Sequence, residues 1–157
     1  MHTLAATGAC RHTRIRITTR RPTEFIDLTD QVDGLVAEAG LRLGLVHLQS
    51  LHTTTAIVVN EHEPLLLTDF AALLDSAAPA DAAYRHDDMR ARTVNVAPGE
   101  RPNGHAHCRA LLLGASVSLN VAGGRLQLGR WQRVFLVELD GPRTRELSVL
   151  FLGDGAR

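Results

Sequence analysis

Residues Arg11 to Arg20 alternate polar and apolar positions, with Ile15 and Ile17 on one face, and predict a half-buried strand that Pro22 interrupts. The period then changes. In DLTDQVDGLVAEAGL, Val32, Leu35, Val36 and Ala39 fall on one helical stripe, with Thr29 or Asp30 as the cap and Gly40 as the stop. LGLVHLQSLHTTTAIVVNE is rich in β-branched residues and predicts one long strand or two short ones. Pro64, after Glu63, suits the first turn of a second helix through LLLTDFAALLDSAAP. Residues 79 to 104 contain Pro79, Pro98, Gly99, Pro102 and Gly104 and predict a long irregular loop, a kind of segment that is more often functional than a mere linker. A short helix from His105 to Leu113 ends at Gly114, and alternating runs around Gly123-Gly124 predict a hairpin. WQRVFLVELDG and RTRELSVLFLG give two further strands joined at Gly141-Pro142.

Strands that are grouped, rather than strictly alternating with helices, predict an α+β fold. The expected architecture is largely antiparallel β-sheets in a sandwich-like arrangement with about three helices packed on them. With no internal repeat, low-complexity tract or boundary, residues 1–157 read as a single domain.

Composition narrows the function classes. The chain has 157 residues, 45% of them hydrophobic, enough for a proper core. Zero formal net charge and a pI near 7.1 give a nucleic-acid or membrane-surface role no electrostatic support. No apolar run approaches the ~20 residues that span a bilayer, and Met1 to Ala9 lacks a signal-peptide pattern. Cys10 and Cys108 are too far apart in sequence for a disulfide framework or a zinc ribbon. A cytoplasmic location is expected. All 17 basic residues are arginine, which excludes Schiff-base, pyridoxal-phosphate and Walker-loop chemistry, because each needs a lysine amine. A bound phosphate must be held by arginine forks, backbone N–H groups or a metal.

Four places set polar residues beside apolar elements: LHTTTAIVVNE with His52, Asn60 and Glu61; YRHDD with His86 and Asp87; NGHAHCR with His105, His107 and Arg109; and DGPRTRE with Arg143. Histidines and carboxylates at strand ends and on loops are how a rigid scaffold presents a metal or an acid–base pair. Each place also has a structural reading. His52 and its threonines can bond to neighbouring backbone, Glu61 can form a surface pair and YRHDD can be a solvated loop. Asn103 or Gly104 can simply cap a helix and leave both nearby histidines in water. His47 reads as a strand side chain, and His2, His12 and His62 as surface residues.

Taken together, HTTTAIVVNE, YRHDD, NGHAHCRALLLGASVSLNV and GGRLQLGRWQRVFLVELDGPRTRELSV resemble, in order, the signatures of the YjbQ family, also known as UPF0047, over about residues 8 to 153. Members of that family are described as secondary thiamine-phosphate synthase enzymes. The resemblance implies a compact α+β fold, a homotrimer and a polar pocket near the subunit interfaces. It carries His52, Asn60, Glu61, His86, Asp87, His105, His107 and Arg143 across as site residues, and makes the histidine pair a feature of the pocket. The expected reaction condenses hydroxymethylpyrimidine diphosphate with a thiazole phosphate and releases pyrophosphate. His52, Glu61, His86 and Arg143 are then the catalytic candidates, and Asn60, Asp87, Arg109 and Arg143 the substrate-binding ones.

His52, His105 and His107 are expected to bind a divalent metal. Imidazoles suit zinc or manganese better than magnesium, which could instead accompany the diphosphate. The alternative function is a metal-dependent hydrolase, or a non-catalytic metal- or anion-binding protein, using the same pocket. RWQRVFLVEL, with a tryptophan and apolar residues close to arginines, has a composition at home in a subunit interface.

Overall fold

The computed structural model describes residues 9–155; His2 lies outside them. Eight strands and three α-helices follow in the order β1 (Ala9–Thr18), β2 (Glu24–Asp27), α1 (Thr29–Glu38), β3 (Leu41–Ser50), β4 (Thr55–Glu61), α2 (Pro64–Ala77), α3 (Gly104–Leu113), β5 (Ser116–Ala122), β6 (Arg125–Leu126), β7 (Gln132–Glu138) and β8 (Thr144–Gly155). A single 3-10 turn, Arg85–Asp87, interrupts the long loop between α2 and α3. Five strands form one antiparallel sheet in the order β1-β8-β3-β5-β6, and three form a second in the order β2-β7-β4. The α+β class is therefore as expected from the patterning.

The two sheets face each other across a core that includes Val46, Leu48, Ile57, Val134, Leu136, Leu147 and Val149, closed at one end by Val32 and Val36 of α1. A second core lies on the other side of the small sheet, where Phe135, Val137 and Leu139 meet Leu74 of α2 and Ala106 and Ala110 of α3. Successive residues of β7 thus point alternately into two different cores. This is why VFLVE is an unbroken apolar run ending in one carboxylate, and it leaves only the Arg130 to Arg133 part of the expected interface stretch open to a partner. Residues 134 to 138 are buried by their own chain, while Trp131, just before the strand, is 61% exposed.

One local outcome decides between expected alternatives and two differ from the patterning. The stretch 41–61 divides between the two sheets, turning at residues 51–54 over a hydrogen bond between the Ser50 and Thr55 hydroxyls. β2 was hidden because four residues give too short a sample of period two. Neither Thr29 nor Asp30 caps α1. The Thr29 N–H donates to Asp27 Oδ1 at 2.9 Å, and the Thr29 hydroxyl accepts the Val134 N–H at 2.8 Å, tying the helix start to β7.

In the large sheet Gly44 of β3 lies opposite Gly153 of β8, with φ of 154° and 144°. A Cβ on Gly44 would stand 2.1 Å from the Leu152 carbonyl oxygen, and one on Gly153 2.2 Å from that of Leu43. Only glycine allows the two backbones to approach so closely.

Candidate functional site

The turn from β7 to β8 builds the floor of a cleft. Glu138, fully buried, ends the apolar run of β7 and pairs with Arg145, which is 3% exposed, through both carboxylate oxygens. Its Oε1 also accepts the N–H groups of Leu139 and Asp140 at 2.9 and 2.8 Å. The Thr19 hydroxyl donates to its Oε2 at 2.9 Å and accepts the Arg143 N–H at 2.8 Å. Burial raises the Glu138 pKa, but the Arg145 guanidinium and these N–H donors outweigh it and leave the carboxyl below its ordinary range. Gly141 sits tightly over this network, where a Cβ would lie 2.4 Å from the Arg21 carbonyl and 2.7 Å from Glu138 Cγ.

Asp140, 6% exposed, organises the next layer. Its Oδ2 accepts Arg143 at 2.8 Å and the Asn103 amide at 3.0 Å, and its Oδ1 lies 3.4 Å from Arg101. Each arginine reaches Asp140 with only part of its fork, so further N–H donors on both remain without protein partners among the described residues. Above them opens a cleft of about 770 Å³ lined also by His52, Thr53, His86, Arg92, Glu100 and His107. An apolar hollow of about 600 Å³ adjoins it, lined by Leu51, Ala110, Leu111, Gly114 and Ala115, and the two share Leu51, His52, Thr53 and His107.

The imidazoles differ in how they are held. His52 Nε2 accepts the Glu146 N–H at 2.8 Å. The rings of His86 and His107 pack with centroids 4.5 Å apart, and His86 Nε2 lies 3.7 Å from Glu100 Oε1. Burial, then the charge of Arg145, pushes the His52 pKa down from 6.5; burial, then His86, does the same for His107. Both rings are therefore harder to protonate than a free imidazole.

The structure brings His52, His86, His107 and Arg143 together and places the other expected residues elsewhere. His105 and His107 point to different sides of α3, as residues two apart on a helix must. His105 packs near Tyr84, ring centroids 6.4 Å apart, and is absent from the cleft lining. Asp87 holds the helix instead of a ligand, its Oδ1 accepting the N–H groups of Asn103 and Gly104 at 2.9 and 3.0 Å. Arg109 is 2% exposed and clamps the end of α2 through the Ala78 carbonyl at 2.8 Å and Asp75 at 2.6 Å. Asn60 and Glu61 stand at the far end of β4, about 20 Å from its start at ~3.3 Å per residue. Glu61 lines a separate surface depression with Asp27, His62 and Trp131.

The family model for UPF0047 protein YjbQ-like matches residues 13–154. The chain belongs to the YjbQ family. A UPF0047 protein of Methanothermobacter thermautotrophicus is 38% identical over 86% of this chain and 87% of its own length. One from Archaeoglobus fulgidus is 40% identical over 86% and 96%. Among solved structures, a YbjQ-like protein of unknown function from Sulfolobus solfataricus P2 superposes with a TM-score of 0.84 at 34% identity, covering 94% of this chain and 99% of that one. A hypothetical protein from Aeropyrum pernix K1 gives 0.82 at 32% identity, over 92% and 99%.

In this YjbQ chain only His52 and His107 of the three imidazoles expected to bind a metal line the cleft. Among the described residues no group of three or more His, Cys, Asp or Glu side chains is arranged to hold an ion. His105 is turned away, and the His52 nitrogen that faces β8 already accepts a backbone N–H. The residues that organise the YjbQ cleft, Glu138, Asp140, Arg145, Asn103 and Arg101, went unnoticed in the sequence. Their one signal was a carboxylate, Glu138, closing a strand that is otherwise apolar at every position from Val134.

Proposed function

We propose that the cleft binds a small phosphorylated substrate and that the protein is a transferase of the thiamine-phosphate synthase kind, joining hydroxymethylpyrimidine diphosphate to thiazole phosphate. The observation that carries this reading is the pair of guanidiniums, Arg101 and Arg143, anchored on buried Asp140 with donors to spare at the cleft mouth. In this reaction the thiazole nitrogen attacks the methylene carbon, the carbon–oxygen bond to the diphosphate breaks, and pyrophosphate leaves. Negative charge grows on the leaving group, and preoriented forks lower the barrier by meeting it. The bond-forming step demands no proton transfer, which is consistent with the lowered pKa values of His52 and His107. The adjoining apolar hollow offers a place for a heteroaromatic ring beside the anion.

We also propose a homotrimeric assembly, on the family resemblance, and a cytoplasmic location, on the composition. Magnesium accompanying the diphosphate is part of the same reading.

Arg143→Lys should lower turnover more than it weakens thiazole-phosphate binding, by about tenfold or more, because one ammonium cannot reproduce a fork. Steady-state formation of thiamine phosphate, with both substrates varied under magnesium and then manganese, measures this. Full turnover in the variant removes Arg143 from the leaving-group role. A wild type that forms no product but hydrolyses phosphate or amide compounds with added metal would favour the hydrolase.

A further inference from the structure

We propose that His52 is a neutral imidazole locked in one tautomer, presenting its Nδ1–H to the cleft as a fixed donor for an oxygen of a bound phosphate or diphosphate. The identity of the ligand rests on the anion reading of the cleft; the tautomer rests on strand geometry alone. β3 ends at Ser50, paired with Leu147 of β8. One residue further, the Leu51 N–H still reaches the Glu146 carbonyl at 3.1 Å. The Glu146 N–H donates not to a carbonyl but to His52 Nε2, at 2.8 Å. The imidazole thus takes the place of a backbone acceptor at the point where the strand pair separates.

A backbone N–H can only donate, so Nε2 carries its lone pair and the proton of the neutral ring sits on Nδ1. The turn gives the ring little freedom. The His52 N–H bonds to the Ser50 hydroxyl at 3.2 Å, and that hydroxyl is held by Thr55. Nδ1 has no partner among the described residues and is not one of their sealed, unpaired atoms, while the residue lines both the polar cleft and the apolar hollow. A second proton would have to go onto Nε2, facing the Glu146 N–H, and would break the anchor. The charged groups facing the ring are Arg145 and Glu138 on the floor, Glu146 on β8 and Arg143 on the turn. Burial and the two arginines oppose protonation; the two carboxylates only partly offset them.

The consequence is a donor held at the junction of the two compartments by the Glu146 anchor. While anchored, the ring is neither a general base nor a metal ligand through Nε2. It is matched to an oxyanion, which accepts hydrogen bonds and offers none.

Nitrogen-resolved NMR of the histidines in the ligand-free full chain, with His52 assigned through His52→Gln, tests the tautomer. Nδ1 should be protonated and Nε2 bare across the neutral range. A ring protonated on Nε2, or charged at neutral pH, overturns the inference. Calorimetric titration with inorganic pyrophosphate tests the donor. Glutamine can keep an acceptor near the Nε2 position and lacks the Nδ1 donor, whereas asparagine places an amide N–H near Nδ1 and loses the anchor. His52→Gln should keep the wild-type Tm and bind pyrophosphate about tenfold more weakly, the usual loss for one hydrogen bond to a charged group. His52→Asn should melt earlier yet recover part of the affinity. Undiminished binding by His52→Gln overturns the donor role. A wild type that does not bind pyrophosphate overturns the anion reading together with the proposed ligand. Failure of the tautomer alone leaves the leaving-group role of Arg143 standing.

Discussion

A guanidinium as buried as Arg109 is explained by what it holds. It sits beside two histidines in the sequence, which made it look like part of a site, yet its donors run back to the Ala78 carbonyl and Asp75. Arg109→Leu should therefore cost about 1–3 kcal/mol, the penalty of leaving the buried carbonyl at the end of α2 without a donor, and should not change pyrophosphate affinity in the folded fraction. Chemical denaturation and calorimetry on one preparation check both halves. A variant of wild-type stability with weakened binding would return Arg109 to the site. At this scale the sequence revealed residue types but not their direction. His107 and His105 look equivalent on paper, and only the start of α3 at Gly104 turns one into the cleft and the other toward Tyr84. Glu138 and Arg145, seven apart and on different strands, had no local pattern to announce their pairing.

Among the elements, Asp27 is where several meet. It ends β2, accepts the first N–H of α1, and takes Arg133 of β7 at 2.7 Å and His62, just before α2, at 2.9 Å. Burial would raise its pKa, but Arg133, the Thr29 groups and His62 prevail and bring it from 3.8 to about 2. A carboxyl whose folded pKa is depressed adds stability that is complete above the unfolded value and is lost as pH falls through the folded one. Asp27→Asn should accordingly lower stability by about 1–2 kcal/mol at pH 7, with the difference from wild type shrinking between pH 4 and pH 2. Urea denaturation at a series of pH values measures it, and a gap that persists at the acid end would show that packing, not charge, is responsible. The long elements were legible because a ten-residue alternation or a capped helix is a strong local signal. β2 and the sheet change between β3 and β4 were not, since both are decided by what the chain meets after it folds.

Over the whole molecule, grouped strands with few helices were enough to indicate an α+β sandwich, and the superposition on the Sulfolobus solfataricus structure supports the same architecture. The site was legible only in part, because its floor is assembled from β1, β7 and β8 and its walls from two loops. The apolar β7 is a double-sided core strand, so it no longer argues for assembly; Leu65, Leu73, Leu111 and Leu112 of α2 and α3, together with Trp131, are the large apolar side chains left exposed there. A homotrimer predicts a sedimentation-equilibrium mass near three times 17.1 kDa, and a clean monomer at micromolar concentration would rule it out.

The order β1-β8-β3 has a consequence in time as well as in space. β1 and β3 never pair with each other; β8, the last of these strands in the chain, lies between them, while the other edge of β3 is taken by β5. Until β8 arrives a nascent chain carries two open strand edges and one unfilled half of the main core, while β2, β7 and β4 can already pair. Closure of the large sheet by β8 joins residues about a hundred positions apart or more, a slow kind of contact. Before β8 is added, the smaller sheet can be complete while the larger one holds only β3, β5 and β6, the stage at which a ribosome-associated chaperone would have most to protect.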